Sequence, residues 1–245
     1  MKYAVFGFAW AMFFVSGISA DSIITDRPDY TESTNAVPVR TLQIETGYTL
    51  THQGGENTHS IGEILFRYGI SKGIELRITP PSYQTDSSIS GFTDSSLGLK
   101  IELKEATDLL PDTSFIFFGS LPTGTGSLSQ SDTQWTSKLC LGWAPADKWD
   151  ISSNLNYSVI NSGTDRFSQV AASLSLGHEL SESLGMFLEY YGFFPAEKEG
   201  DSSHVINTGL AYLVSPDFQV DCRVGRGLSD QSWFLGFGAS VKGSL

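Results

Sequence analysis

Beyond residue 20 this chain alternates. Apolar and polar side chains exchange places at every second position through one short run after another. No run approaches the ~18 consecutive apolar residues that a membrane-crossing helix requires. Leu97, Leu99, Ile101 and Leu103 stand opposite Gly98, Lys100 and Glu102. Trp149, Ile151, Leu155, Tyr157 and Val159 stand opposite Asp150, Ser152, Asn154, Asn156 and Ser158, and the last run sets Trp233, Leu235, Phe237, Ala239 and Val241 against Gly236, Gly238 and Ser240. Twelve such runs can be read, each about 9–12 residues, the length of a tilted strand crossing a bilayer. Strands in hydrocarbon must close on themselves, because an open edge leaves backbone groups unpaired. The pattern therefore predicts an all-β chain forming a closed antiparallel transmembrane β-barrel of twelve strands. A soluble β-sandwich is the competing account of the same alternation.

The first residues support export. Lys2 precedes an apolar core from Tyr3 to Val15, and Ser16-Gly17-Ile18-Ser19-Ala20 reads as a small-residue cleavage site. That is the grammar of a signal peptide cut near Ala20, and its core is too short for an anchor. Without Lys2, 14 basic residues stand against 27 acidic ones, a mature charge of −13. So acidic a chain lacks the basic patch of a nucleic-acid binder. Only 17% of residues are charged while 12% are aromatic, which fits a wall facing lipid better than a soluble surface.

Connections divide by length. Residues 71–73, 144–148, 181–184 and 214–217 are short, whereas 84–92, 123–132, 161–166 and 195–202 are longer and polar. Short periplasmic turns and longer external loops are the habit of outer-membrane barrels. An even strand count puts both ends in the periplasm. Residues 104–112 offer the one plausible helical turn. Trp143, Trp149, Trp135 and Trp233 fall at strand ends, as an interfacial aromatic girdle would.

The polar face should line the lumen. It carries Arg67, Arg77, Lys100, Lys138 and Arg223 against Glu63, Glu75, Glu102, Asp150, Glu189 and Asp221. Two readings remain open: a selectivity lining for a solute path, or an internal salt-bridge network that stiffens the barrel, since buried charges need partners. Gly98, Gly209, Gly225, Gly236 and Gly238 leave room inside the wall. Residues 21–39 precede the first strand of the 40–245 barrel and are too irregular to join it. Their Asp26, Arg27, Asp29 and Glu32 make this stretch a candidate plug, or else a loose periplasmic tail.

Other chemistry is thin. Cys140 faces inward and Cys222 outward on strands that are not neighbours, so no disulfide is expected. His52, His59, His178 and His204 are dispersed without metal-ligand spacing. "PTGTGS" at 122–127 lacks the Lys of a phosphate loop, and no cofactor motif occurs. His178 beside a Ser-rich strand is the nearest approach to a lipid hydrolase.

Several segments resemble a known family: "ITDRPDYTES", "LQIETGYTLT", "RYGISKGIELRI", "SSLGLKIEL", "SLPTGTG" and "LAYLVSPDFQVDCRVGRGLSD". In order, across residues 23–241, they follow the outer-membrane transporter family attached to a phenol-degradation pathway. The resemblance implies a Gram-negative outer-membrane barrel assigned to transport, with lipids and a small solute as partners. Leu245 stands where many such barrels end in an aromatic. No residue reads as an aromatic-solute site. Three functions follow as expectations: a passive channel for small solutes, a non-conducting structural or adhesion barrel, or a lipid hydrolase. The face assignment also implies that Leu99→Arg is costly and Lys100→Ala far milder.

Overall fold

The computed structural model describes residues 22–107, 110–162, 165–196 and 201–245. The expected signal, residues 1–20, lies outside them. Fourteen strands follow one another: β1 (Thr41–Gln53), β2 (Glu56–Ser71), β3 (Ile74–Thr79), β4 (Tyr83–Thr85), β5 (Ser90–Phe92), β6 (Ser95–Lys104), β7 (Asp112–Leu121), β8 (Gln134–Ala146), β9 (Trp149–Ser162), β10 (Asp165–Ser181), β11 (Leu184–Pro195), β12 (Ser203–Ser215), β13 (Phe218–Gly227) and β14 (Trp233–Ser244). Every neighbour pair is antiparallel, and β1 pairs with β2 on one side and β14 on the other. Twelve of the strands thus form a wall closed on itself, and the short β4–β5 hairpin hangs from β2.

The two extra strands arise from proline. β3 ends at Thr79 before Pro80-Pro81, whose missing N–H groups cannot continue the ladder. β2 runs on past that point, and its Ser60 instead pairs with Gln84 of the β4–β5 hairpin. The stretch read as a simple loop over 84–92 is therefore partly strand. A β-bulge interrupts the β1–β2 ladder between Glu45 and Gly47, and Glu63 opposite it takes φ 40°. Bulges re-aim side chains, and here Glu63 turns into the lumen.

Turns 72–73, 147–148, 182–183 and 216–217 sit at the rim that also holds both ends of the barrel, where Leu245 N donates to Arg40 O at 2.8 Å. We call this the near rim. The far rim carries 122–133, but the division by length is imperfect: 54–55 is tight there, the loop expected over 161–166 is mostly strand because β9 reaches Ser162 and β10 starts at Asp165, and seven residues join β6 to β7 at the near rim. Among the described residues, 104–112 contain no helix, and the single helical turn is a 3-10 turn at Gly126–Leu128. The reason is local. Asp94 accepts from Thr123 N, Gly124 N and Ser129 Oγ through Oδ1 and from Gln130 N through Oδ2, which curls that loop around one carboxylate.

The alternation places large apolar side chains outside: Leu97 is 52% exposed, Leu99 41% and Leu174 54%, whereas Lys100, next to Leu99 on the opposite face, is 0%. Such a surface is tolerable only against lipid. Leu99→Arg is expected to cost about 2–4 kcal/mol if the strand centre lies at the bilayer midplane. Urea titration of the barrel folded into phospholipid vesicles measures it, and an effect near zero would reverse the face assignment.

Candidate functional site in the barrel lumen

The lumen is filled by charge. Inward positions of β1, β2, β3 and β6 supply Gln43, Glu45, Arg67, Glu75, Arg77 and Lys100, all buried. Arg67 is the hub on the wall. Its Nε and NH2 each donate at 2.9 Å to the two oxygens of Glu75, and NH1 donates to Glu45 at 3.0 Å. Fork-to-carboxylate pairing of this kind is strong and directional.

Into this cage comes the chain's own N-terminal segment. It enters at the near rim, where Ile23 N donates to Pro216 O at 2.7 Å. It turns back inside and leaves at the same rim, where Val39 bridges Gly69. Both its ends therefore lie on one side, so the segment is a hairpin that does not itself cross the barrel. Its exit passes so close to β2 that a Cβ on Gly69 would come within 2.1 Å of Pro38 O.

The contacts divide by chemistry. Wall carboxylates take the hairpin's backbone donors. Glu45 accepts from Asp26 N and Arg27 N, Glu189 from Tyr30 N and Thr31 N, Glu102 from Ala36 N and Glu75 from Val37 N, all at 2.7–3.1 Å. Wall cations take the hairpin's carboxylates and carbonyls. Asp26 receives Arg77 at 2.6 Å and Lys100 at 3.0 Å, with Arg67 at 3.4 Å. Arg67 and Lys100 also donate to Asn35 O, and Arg223 to Pro28 O. Glu32 is held by Arg77 at 2.8 Å and by Lys138. Arg27 runs the other way, from hairpin to wall, reaching Glu63 at 3.3 Å and Asp221 at 3.5 Å. Its guanidinium lies against the paired Gly47 and Gly238, where any Cβ would approach within 2.4 Å.

Further in, the hairpin turns aromatic. Tyr30 stacks on Tyr191 with centroids 4.5 Å apart and meets Phe193 edge-on at 5.4 Å. Its hydroxyl accepts from Asn156 Nδ2 at 2.9 Å, and Lys138 Nζ lies 5.7 Å from its ring centre. A cavity of about 260 Å³ adjoins, lined by Tyr30, Glu32, Arg77, Lys138 and Arg223 among others.

Of the lining residues read from the sequence, Glu63, Arg67, Glu75, Arg77, Lys100, Glu102, Lys138, Glu189, Asp221 and Arg223 converge on the hairpin's Asp26, Arg27, Glu32 or backbone. Asp150 does not: it is exposed at the start of β9, by the near rim, against Gly177. Glu45 was legible on the polar face but not singled out. Its importance comes from two hairpin N–H groups that only the fold brings to it. Asn156 and Tyr191 escaped for the same reason. His178 stacks on Trp149 at 4.1 Å and its Nδ1 lies 3.0 Å from Lys148 O, beside the near-rim turn. Cys140 and Cys222 are both free thiols.

The hairpin's acids are tuned in opposite directions. Burial raises Asp26, but Arg67, Lys100 and Arg77 outweigh it and hold the carboxyl well below the usual carboxylate range. Glu32 is likewise lowered by Arg77 and Lys138 against the cost of burial. Asp29 goes well above its ordinary value, because burial and the neighbouring Glu189 both disfavour charge there. A lowered group favours the docked hairpin above its free value and loses that contribution as pH falls through the bound one. A raised group does the reverse: its contribution is present below the free value and disappears as pH climbs through the bound one. Asp26 and Glu32 thus hold the hairpin at neutral pH, while Asp29 opposes them.

The structure also corrects the expectation for Lys100. Its ammonium is fully buried on Asp26, Ser33 and Asn35. Lys100→Ala should cost about 1–3 kcal/mol, comparable with the lipid-face substitution, because it strips a partner from a buried carboxylate. The same denaturation assay checks it. Asp29→Asn, which removes a disfavoured charge, should protect the hairpin amides more strongly from hydrogen exchange at pH 8 than in the unaltered protein, with the difference shrinking towards pH 4. No difference at pH 8 would contradict the assignment.

Comparison with known proteins gives three kinds of result. A family model described as "Putative MetA-pathway of phenol degradation" matches residues 25–243. No curated protein sequence matches the chain. Among solved structures, an outer membrane channel from Pseudomonas putida F1 superposes with TM-score 0.61 at 14% identity, covering 89% of this chain and 100% of that one. The NanC porin superposes with TM-score 0.60 at 10% identity over 82% and 98% of the two chains. The KdgM porin gives 0.53 at 14% identity over 80% and 98%. At these identities the likeness speaks to fold: a closed barrel of the outer-membrane porin type.

Proposed function

Because the chain belongs to the MetA-pathway phenol-degradation family and folds as a porin-type barrel, we propose that it is an outer-membrane channel for passive passage of small solutes, closed by its own N-terminal hairpin. In this reading the near rim faces the periplasm and the far rim the cell exterior, with residues 21–39 as plug and the barrel beginning at 40. The outer girdle contacts membrane lipid, and the solute follows the lumen.

The observation that carries the reading is the chemistry of the hairpin's contacts. They are predominantly polar through its base and middle, with Ile23 and Val37 the buried apolar side chains there among the described residues, and both its ends leave by one rim. Such a segment can withdraw into the periplasm without threading through the wall, and every group it leaves behind can be rehydrated. A permanent core would bury apolar surface instead, since buried ion pairs contribute little net stability against apolar packing. That distinction favours a channel over a non-conducting structural barrel. His178, the candidate base of a lipid hydrolase, is engaged with Trp149 and Lys148.

A reversible lock tests this. Thr31 Oγ1 and Ser173 Oγ lie 2.7 Å apart, close enough for a disulfide between cysteines placed there. In a background with Cys140 and Cys222 replaced by Ser, Thr31→Cys with Ser173→Cys should be nearly silent in planar bilayers when oxidised. It should conduct on addition of a reductant. Equal conductance in both states would refute a hairpin gate, and silence in both would refute the channel.

A further inference from the structure

Two residues of the hairpin resemble a ligand more than a strut. Tyr30 presents a phenol ring to Tyr191 and Phe193, and its hydroxyl to Asn156. Glu32, two residues on, presents a carboxylate to Lys138 and Arg77. Lys138 joins the two halves, since its ammonium holds the carboxylate and lies 5.7 Å from the ring centre. The wall therefore offers an aromatic slot, a hydroxyl partner and a cationic pair within the span of one small molecule.

From this juxtaposition we propose that the lumen wall at Tyr191, Phe193, Asn156, Lys138 and Arg77 is a binding site for aromatic carboxylic acids, which the hairpin occupies as an internal mimic. The inference deepens the channel reading and rests on it for the direction of transport, though the site itself does not.

Three further observations support it. A cavity of about 260 Å³ lies beside Tyr30, Lys138 and Arg77, so the site borders free volume even with the hairpin in place. Asn156 donates to the Tyr30 hydroxyl through Nδ2, but its Oδ1 is buried and unpaired. An unpaired buried acceptor is costly, and a ligand hydroxyl that can donate recovers what the tyrosine leaves unmet. Finally, the ring slot is built from faces and edges at stacking distances, an arrangement available to any flat ring. A saturated acid gains none of it. An arene without a carboxylate leaves Lys138 and Arg77 to Glu32 and so does not dislodge the hairpin.

Competition sets the expected numbers. While the hairpin holds the site, apparent affinity is reduced by the fraction of molecules in which it is vacant. Emptying the ring slot should therefore tighten binding rather than weaken it, the opposite of what removing a true contact residue does.

The probe is 4-hydroxyphenylacetate, titrated calorimetrically into the full mature protein in detergent, with cyclohexylacetate and 4-methylphenol as controls. The aromatic acid should bind, and each control should bind at least about tenfold more weakly. Tyr30→Ala should lower the dissociation constant by about tenfold. Lys138→Gln should raise it by about tenfold without changing the weak response to 4-methylphenol. Tyr30 lies outside the wall, so its removal leaves barrel folding intact even if the Lys138 variant misfolds. Equal binding of cyclohexylacetate, or an unchanged or weaker affinity in Tyr30→Ala, overturns the proposal. Binding as described with a barrel that stays silent after the hairpin lock is reduced would sink the channel and keep the site. A conducting barrel that ignores the aromatic acid would do the reverse.

Discussion

Backbone amides in hydrocarbon have no water to bond, and everything else in this molecule follows from that. The constraint forces the strands into a closed cylinder, as the pairing of β1 with β14 shows. Closure fixes a lumen whose inward positions are then every second residue. Inward glycines admit the hairpin at one place, where Gly47 and Gly238 lie against the Arg27 guanidinium, while Gly98, Gly209 and Gly225 are covered by the wall's own Phe118, Phe187 and Phe234. A lumen of this width has to hold water, or ions, or protein. This chain places protein there, its own residues 22–39, and the charged lining exists in the form it does because a polypeptide backbone is what it holds.

The division of labour inside the barrel is informative. A carboxylate accepts and cannot donate, and a guanidinium donates and cannot accept. A hairpin in a water-poor space exposes both N–H and C=O groups, so its wall must carry both signs. Glu45, Glu75, Glu102 and Glu189 take the N–H groups, while Arg67, Lys100 and Arg223 take carbonyls. The near balance of inward cations and anions is thus the signature of a backbone being solvated by protein. An ion filter would favour one sign.

This explains what the sequence could and could not disclose. The wall was legible because its rule is local: period two sorts Leu99 outward and Lys100 inward with no knowledge of any other strand. The strand count was legible for the same reason. The β4–β5 hairpin was not, because it depends on β2 overrunning a partner that prolines cut short. The inward charges could be read as a set, but not as a site. Which hairpin atom meets Glu189 depends on a return through the lumen that no periodicity encodes, and irregular segments have no periodicity to read. Asp150 shows the converse. It has the correct parity and the correct charge, yet its height on the strand puts it at the near rim, below the hairpin. Parity gives the face of a residue; only the register between strands gives its depth.

Depth also separates two kinds of hairpin contact that parity alone merges. Around Asp26 the bonds are ionic, saturated and buried, and every partner is spoken for. Around Tyr30 and Glu32 they are mixed: an aromatic stack, a single amide and one unpaired acceptor. The first arrangement resists exchange, because a solute would have to replace Arg67, Arg77 and Lys100 contacts together. The second yields to any molecule that satisfies the same few groups better. A segment anchored firmly at one depth and loosely at another releases from the loose end first, and Asp29, buried against Glu189 at a cost, sits between the two. The burial cost of that carboxyl lies where a release starting at Tyr30 would next arrive, so its relief would favour continuation of such a movement towards the near rim.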